Sequence, residues 1–338
     1  MRSTIKDVAR KAKVSTATVS LAIHGHSRIS SDTRKKVMKA IEDLNYHPFK
    51  SARDLVSKKT GNIGFILTED HFLRSEPFYT KIFLGTEFEA RKHPYYVLLA
   101  TIPSNYQIPD PLPRFIPENS VDGIIIAGKV PEALIINLQK YSIPVIFIDY
   151  YPAENSHHAV LIDNTEGGMK ATQHLIDCGH NKIAFICGDI EHPSIHGRFQ
   201  GYKMALEKAE IKFNPRLILS TEKATSRESG YHAASVLFKQ NQDFSAVFAC
   251  NDAMAIGAMQ YFKEQGLKIP SDVSIIGFDD IDLDLIIEPA LSTVHVPTVD
   301  MGSEALKVLR EQLENKLINP KKILIPVELV VRNSTCRL

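Results

Sequence analysis

Four polar side chains stand where apolar runs end. Asp149 closes PVIFIDY, Asn251 closes SAVFACN, Asp279 closes VSIIGFD, and Arg198 follows KIAFICG across the loop DIEHPSIHG. Carboxylates accept hydrogen bonds, a guanidinium donates them, and an amide does both, so such a set can hold vicinal hydroxyls. Phe78 and Tyr150 offer aromatic cover for the apolar face of a ring. Near the N-terminus, Thr16, Ala17, Ser20 and Leu21 are short or slender residues on one side of a helical period. Side chains of that size let a helix sink into a major groove.

Other chemistry lacks support. Neither G-x-G-x-x-G nor G-x-x-x-x-G-K-[ST] occurs, and no G-x-S-x-G elbow is present. Cys178-Gly179-His180 and the pair His192 and His196 match no zinc spacing. No catalytic residue, metal or cofactor is expected. A single strand-end Asp can serve only to cap the next helix. Four polar strand ends in a two-lobed chain favour a cleft. His157-His158 reads as a surface connection.

The elements that position these residues follow from pattern. In TIKDVARKAKVSTATVSLAIHG, Ile5, Val8, Ala9 and Ala12 form one apolar helical face, with Thr4 as cap and Asp7 as its capping-box partner. After the turn Lys13-Val14-Ser15, Ser15 caps a second helix whose inward face is Val19, Ala22 and Ile23, and Gly25 ends it. A third helix begins at Ser30 or Ser31. Its apolar face is Val37, Ala40, Ile41 and Leu44, its basic face Arg34, Lys35, Lys36 and Lys39, and Asn45-Tyr46-His47-Pro48 stops it. The segment FKSARDLVSKKT is too short and polar to fold alone, and reads as a tether or as a helix formed only on DNA.

From Gly61 strands alternate with helices: NIGFIL, YYVLLA, DGIIIAG, PVIFIDY, KIAFICG, LILST, SAVFACN and VSIIGFD are β-branched runs, implying parallel sheets covered on both faces. These are too many units for one sheet, so two lobes are expected, joined near His158–Asn164. Five prolines within 101–120 forbid a long helix there and predict a loop or short turn. The fold class is therefore α/β: a three-helix helix-turn-helix domain plus a two-lobed core of parallel sheets. The divisions are 1–48, the linker 49–60, and the core 61–338. Within the core, the first lobe takes about 61–160 and 291–322, the second about 161–290 and 323–338. The last helix, MGSEALKVLREQLEN, and the strand VELVVRN are expected to cross back between the lobes.

Charge separates the same parts. Residues 1–59 carry 14 Lys and Arg against 5 Asp and Glu, a net +9, while the remainder carries 26 against 34, a net −8. Only the head is suited to meet a polyanion. The apolar runs are too short to span a membrane, and MRSTIKDVARKAK lacks an apolar signal core, so a cytoplasmic protein is expected. Four widely spaced cysteines fit reduced thiols, two of them inside apolar runs.

With these motifs in place, the chain resembles the LacI/GalR family of transcriptional regulators. The resemblance rests on TIKDVARKAKVSTATVS, DTRKKVMKAIEDLNYHP and SARDLVSKKTGNIGFI, and in the core on VDGIIIAG, DNTEGG, CGHNKIAFICG, GRFQGYKMAL, SGYHAA, AVFACNDAMAIGAM, VSIIGFDD and PALSTVHVP. It implies a periplasmic-binding-protein-like core and a homodimer on a near-palindromic double-stranded operator. It also implies control by a small ligand in the cleft, which the hydroxyl-binding residues above make a mono- or oligosaccharide. Thr16, Ala17 and Leu21 match base-reading positions. Thr4, Ser15, Thr18, Ser20, Arg28, Ser51 and Val56 complete the DNA-binding set, and Leu55 matches a leucine wedged into the minor groove. Arg198, Asn251, Asp279 and Asp149 match effector-binding positions, and Phe78 lies near pocket-wall aromatics. Tyr150 and His192 join that set. His192 stands where purine-binding members carry a basic contact, which disfavours a purine.

Two departures matter. The base-reading face lacks Arg and Gln, so specificity must lean on methyl contacts and DNA shape. The proline-rich stretch replaces a helix of the first lobe. Two other function classes compete with regulation: a sugar-binding transport receptor and an α/β enzyme acting on sugars. The basic head opposes the first, and the second lacks a nucleophile–base arrangement or cofactor motif.

Overall fold

The computed structural model describes residues 3–23, 26, 28–46, 59–72, 77–152, 157–240, 243–316 and 319–338. Gly25, Ser51, Arg53, Leu55, Val56 and Lys58, with the linker up to residue 58, lie outside these. The chain divides into two compact units, 1–60 and 61–338.

The first unit holds α1 (Ile5–Ala12), α2 (Thr16–Ile23) and α3 (Ser31–Asp43). Asp7 reaches back to the Thr4 N–H at 2.9 Å and accepts the Thr4 hydroxyl at 2.6 Å. The capping box is thus half formed, because the Asp7 N–H goes to the Thr4 carbonyl at 3.0 Å. These bonds hold the Asp7 carboxyl below its ordinary range. The chain turns through Lys13 at φ 55°, and Ser15 Oγ accepts the Thr18 N–H at 3.0 Å to start α2. Ser30 caps α3 through the Thr33 N–H. Val8, Val19 and Val37 meet in the centre with Ala9, Ala22, Ala40 and Tyr46. An ion pair between Lys11 and Asp43, 2.9 Å, ties α1 to the end of α3.

The second unit carries strands β1 (Asn62–Thr68), β2 (Tyr96–Ile102), β3 (Gly123–Ala127), β4 (Val145–Ile148), β5 (His158–Ile162), β6 (Ile183–Ile186), β7 (Ile218–Leu219), β8 (Ala246–Ala249), β9 (Ser274–Ile276), β10 (Thr293–His295), β11 (Lys322–Ile325) and β12 (Glu328–Val330). Its helices are α4 (Glu69–Phe72), α5 (Phe78–Ala90), α6 (Glu132–Leu138), α7 (Asn164–Asp177), α8 (Pro193–Lys208), α9 (Arg227–Lys239), α10 (Asp252–Glu264) and α11 (Thr298–Leu313). One lobe is a six-stranded sheet in the order β11-β5-β4-β3-β1-β2, and the other a four-stranded sheet β7-β6-β8-β9. All pairs within these two sheets are parallel. The continuous runs are buried as their composition requires: GIIIA of β3, VIFI of β4 and AVFA of β8 are covered throughout. The edge strands of the six-stranded sheet are less covered: β2 leaves Tyr96 and Leu99 exposed, and β11 leaves Leu324 exposed.

Three expectations are corrected. His158 is not on a surface connection. It opens β5, is 4 % exposed, and its Nδ1 accepts the Lys321 N–H at 3.1 Å, joining β5 to the approach of β11. The strand 322–325 belongs to the first lobe through its parallel pairing with β5, so the final passage falls after Ile325. Residues 292–295 extend the second lobe, since the Gly277 N–H bonds the Ser292 carbonyl and the Asp279 N–H bonds that of Val294. Helix α11 packs on α5 and so belongs to the first lobe; the strand β12 returns to pair with β10. Residues 103–120 form turns, as the prolines require, pinned by buried Tyr106, Phe115 and Ile116. No helix among the described residues is long and apolar enough to cross a membrane.

Helices α7 and α8 lie unusually close. A Cβ on Gly168 would fall 2.2 Å from the Arg198 carbonyl oxygen, and one on Gly201 would fall 2.1 Å from that of Thr165. Only glycine permits this approach, which sets the backbone from which Arg198 projects.

Candidate functional site

The carboxyl ends of the strands face one another across a cleft within the second unit. About 790 Å³ of space, its mouth included, lies between Phe78, Tyr79 and Asp149 on one lobe and His192, Arg198, Asn251 and Asp279 on the other. Six of the seven residues expected to meet the ligand therefore converge.

Arg198 is the centre of the second-lobe wall and is 6 % exposed. Its Nε donates to Asn164 Oδ1 at 2.8 Å and its Nη1 to the Cys250 carbonyl at 2.6 Å. Asp279 Oδ1 lies 3.4 Å from Nη1, and the guanidinium sits 3.7 Å from the centroid of the Phe278 ring. The cation is thus held rigidly by charge, hydrogen bonds and an aromatic face. Asp279 reaches this place through a backbone at φ 119°, a conformation L-residues seldom adopt.

Asp149 leaves β4 at φ 56° and is 6 % exposed. It accepts the Tyr79 hydroxyl at 2.9 Å and the Ser194 hydroxyl at 3.3 Å, the latter from the opposite lobe. Asn251 has a double duty. Its Oδ1 caps α10 through the Met254 N–H and its Nδ2 donates to the Thr225 carbonyl, both at 3.0 Å, while the residue also lines the cleft. His192 is the residue before α8 and borders the mouth.

Tyr150 does not reach the cleft. The left-handed turn at Asp149 aims that carboxylate inward, and Tyr150 packs instead beside Phe147, ring centroids 6.0 Å apart, in the apolar layer on the other side of the sheet. Burial pushes its phenol above the ordinary value.

The aromatic wall is completed by Tyr79, which stacks on His71 at 4.4 Å. Gly128 at φ 76° leaves room for both, since a Cβ there would lie 2.5 Å from the His71 ring. Tyr79, His71, Ser194, Asp189, Lys223 and Thr225 were not anticipated as site residues. The signal for Lys223 and Thr225 was available, because they follow β7 as Asn251 follows β8. Ser194 and Tyr79 sit in the first turns of helices, where the strand-end rule does not look.

In the first unit, Thr4, Thr16, Ala17 and Arg28 are exposed, and Ser20 and Leu21 are half-buried. Ser15 and Thr18 bond each other through their hydroxyls at 2.8 Å. Lys35, Lys36 and Lys39 are exposed along α3.

Residues 4–48 match the model of bacterial regulatory proteins of the lacI family, and residues 172–335 match a periplasmic binding protein-like domain. The ribose operon repressor of Haemophilus influenzae is 34% identical over 333 residues, 98% of each chain. The chain belongs to the LacI family. Catabolite control protein A of Priestia megaterium, another relative, is 34% identical over 337 residues, covering 99% of this chain and all of that one. Among solved structures, the transcriptional regulator CelR–cellobiose complex superposes with a TM-score of 0.72 at 28% identity, over 98% of this chain and 100% of that one. An Enterococcus faecium regulator with bound ribose gives 0.71 at 29% identity, over 82% and 99%. The lac repressor dimer bound to operator shares the fold at a TM-score of 0.83 and 24% identity, over 99% and 100%. This LacI-family chain is a DNA-binding transcriptional regulator with a ligand-binding core.

Proposed function

We propose that this regulator is a cytoplasmic repressor, not an enzyme. It binds a near-palindromic operator as a homodimer and changes operator affinity when a mono- or oligosaccharide enters the cleft. The observation that carries the sugar reading is the pair Arg198 and Asp279 facing Asp149 and the Phe78–Tyr79 wall across the cleft. A fixed guanidinium donates to ring hydroxyls, two carboxylates accept from them, and aromatic rings cover the apolar face. The ribose and cellobiose bound by structural relatives are ligands of that kind.

The DNA-reading residues are Thr4, Ser15, Thr16, Ala17, Thr18, Ser20, Leu21 and Arg28. Ser51, Leu55 and Val56 act in the linker, Leu55 as the minor-groove wedge. Support for the dimer comes from exposed apolar residues in two neighbouring places. Leu84 and Phe88 lie on α5, and Leu285 and Ile286 follow Asp282, which pairs with Lys81 of α5 at 2.8 Å. Such exposure favours burial against another chain.

The test combines a thermal-shift screen with a gel shift on the protein's own upstream DNA. A saccharide should raise the melting temperature by mass action and alter the gel shift at the same concentrations. A response to purine bases alone would reject the sugar reading.

A further inference from the structure

The cavity around Arg198 does not end at its mouth. His71, Asp189, His192, Lys223 and Thr225 border it and also border a second, outer chamber of about 1530 Å³, open to solvent and closed farther out by Ser104, Lys129 and Ser226. The two spaces share these five lining residues, so one ligand can reach from the inner cavity into the outer chamber.

Its lining identifies what fits there. Among the described lining residues, Lys129 and Lys223 are balanced by Asp70 and Asp189. The ammonium groups of Lys129 and Lys223 make no hydrogen bond or ion pair among the described residues, so both are available as donors. Asp70 is engaged by the Ser104 hydroxyl. Asp189 Oδ1 accepts the Glu191 N–H at 3.1 Å, which leaves Oδ2 to accept. Ser226 Oγ is committed to the Ser229 N–H, as the cap of α9. Among the described residues, no arginine lines this chamber. A phosphate dianion calls for surplus positive charge and charge-assisted donors. A neutral unit rich in hydroxyls calls for donors and acceptors in balance, which is what the chamber offers.

We infer that the effector is a two-ring saccharide, with one ring against Arg198 and Asp149 and the second in the outer chamber between Lys129, Lys223 and Asp189. This rests on the sugar reading of the inner cavity. It makes Lys129 a specificity-determining residue that a single-ring sugar never touches.

Calorimetry on the full chain tests it with maltose, cellobiose, lactose, trehalose and sucrose, against glucose, galactose and fructose, with glucose 6-phosphate as the anionic arm. At least one disaccharide should bind roughly 10-fold or more tighter than either of its component sugars. Lys129→Ala should remove most of that gain, lowering disaccharide affinity roughly 10-fold, the loss expected for one charge-assisted hydrogen bond, while leaving monosaccharide affinity unchanged. A monosaccharide that binds as tightly as every disaccharide overturns the two-ring assignment but leaves the sugar reading standing, as does a Lys129→Ala variant with no altered affinity. Tighter binding of glucose 6-phosphate overturns it in favour of an anionic ligand. Absence of heat with every saccharide rejects the sugar reading itself.

Discussion

Asp284 is fully buried and stands against a second buried carboxyl, Asp252. Asp252 is well supplied with donors: the Thr293 hydroxyl at 2.6 Å, the Asp280 N–H at 2.6 Å and the Ile281 N–H at 3.2 Å. Asp284 Oδ2 accepts the Ile281 N–H at 3.0 Å, a side-chain hydrogen bond joins the Asp284 and Asp252 carboxyls, and Arg332 Nη1 is 3.9 Å away. Burial, and then the Asp252 charge, push the Asp284 carboxyl up to about 10 against the pull of Arg332. It is therefore a neutral acid at pH 7, whereas in the unfolded chain it ionises near ~3.9. A folded value above the unfolded one means stability that is fully present below pH ~4 and is lost as pH rises toward 10. At ~1.4 kcal/mol per unit, the loss between pH 3.9 and pH 7 reaches a ceiling of ~4 kcal/mol. Asp284→Asn keeps the acceptor for the Ile281 N–H and cannot ionise. The variant should be more stable than the parent at pH 7 by roughly 2–4 kcal/mol, a rise in melting temperature of about 4–12 °C. The gap should shrink by roughly 3 kcal/mol on going down to pH 5, and so largely close. Thermal melts of both proteins from pH 5 to pH 8 measure this. Two melting curves that run parallel in pH, with the variant lower throughout, would mean that Asp284 is an anion paired with Arg332, and the reasoning fails.

Three further outcomes follow from the geometry. Arg198→Ala and Asp279→Ala should each weaken saccharide binding about 10- to 150-fold while ligand-free operator binding stays near the parent value; unchanged calorimetric affinity in both variants would move the site elsewhere. Gly168→Ala places a methyl 2.2 Å from the Arg198 carbonyl oxygen, so it should cost roughly 1–3 kcal/mol of core stability and also weaken the ligand; a normal melting temperature would show that α7 and α8 can separate freely. If the basic head neutralises about six phosphates, through Lys6, Arg10, Lys35, Lys36, Arg53 and Lys58 among others, operator affinity should fall by roughly 10³ between 50 and 200 mM salt. A complex indifferent to salt in gel shifts would refute it.

Much of this architecture was legible because aliphatic runs and helix caps are local signals. Ser15, Ser30 and Asn251 cap where their types suggest, and eight β-branched runs became strands. Pairing between distant segments was not legible. Nothing in HAVLID announces that it pairs with a strand some 160 residues later, and a leading histidine argues for the surface until the Lys321 N–H supplies its partner. The site divides along the same line. The rule that ligands meet strands at their carboxyl ends located Asp149, Asn251 and Asp279, but it could not tell which of two adjacent residues points inward. That choice is made by backbone dihedrals. At Asp149 a φ of 56° reverses the alternation a strand would continue, so the carboxylate takes the cleft and Tyr150 returns to the apolar layer. The aromatic cover expected of Tyr150 comes instead from Tyr79, held in register by its hydroxyl on the same carboxylate. One residue in a left-handed conformation thus decides both the polar and the aromatic halves of the first-lobe wall. It leaves no mark in the sequence, because Asp is one of the few non-glycine residues enriched in that conformation yet adopts it only here and there.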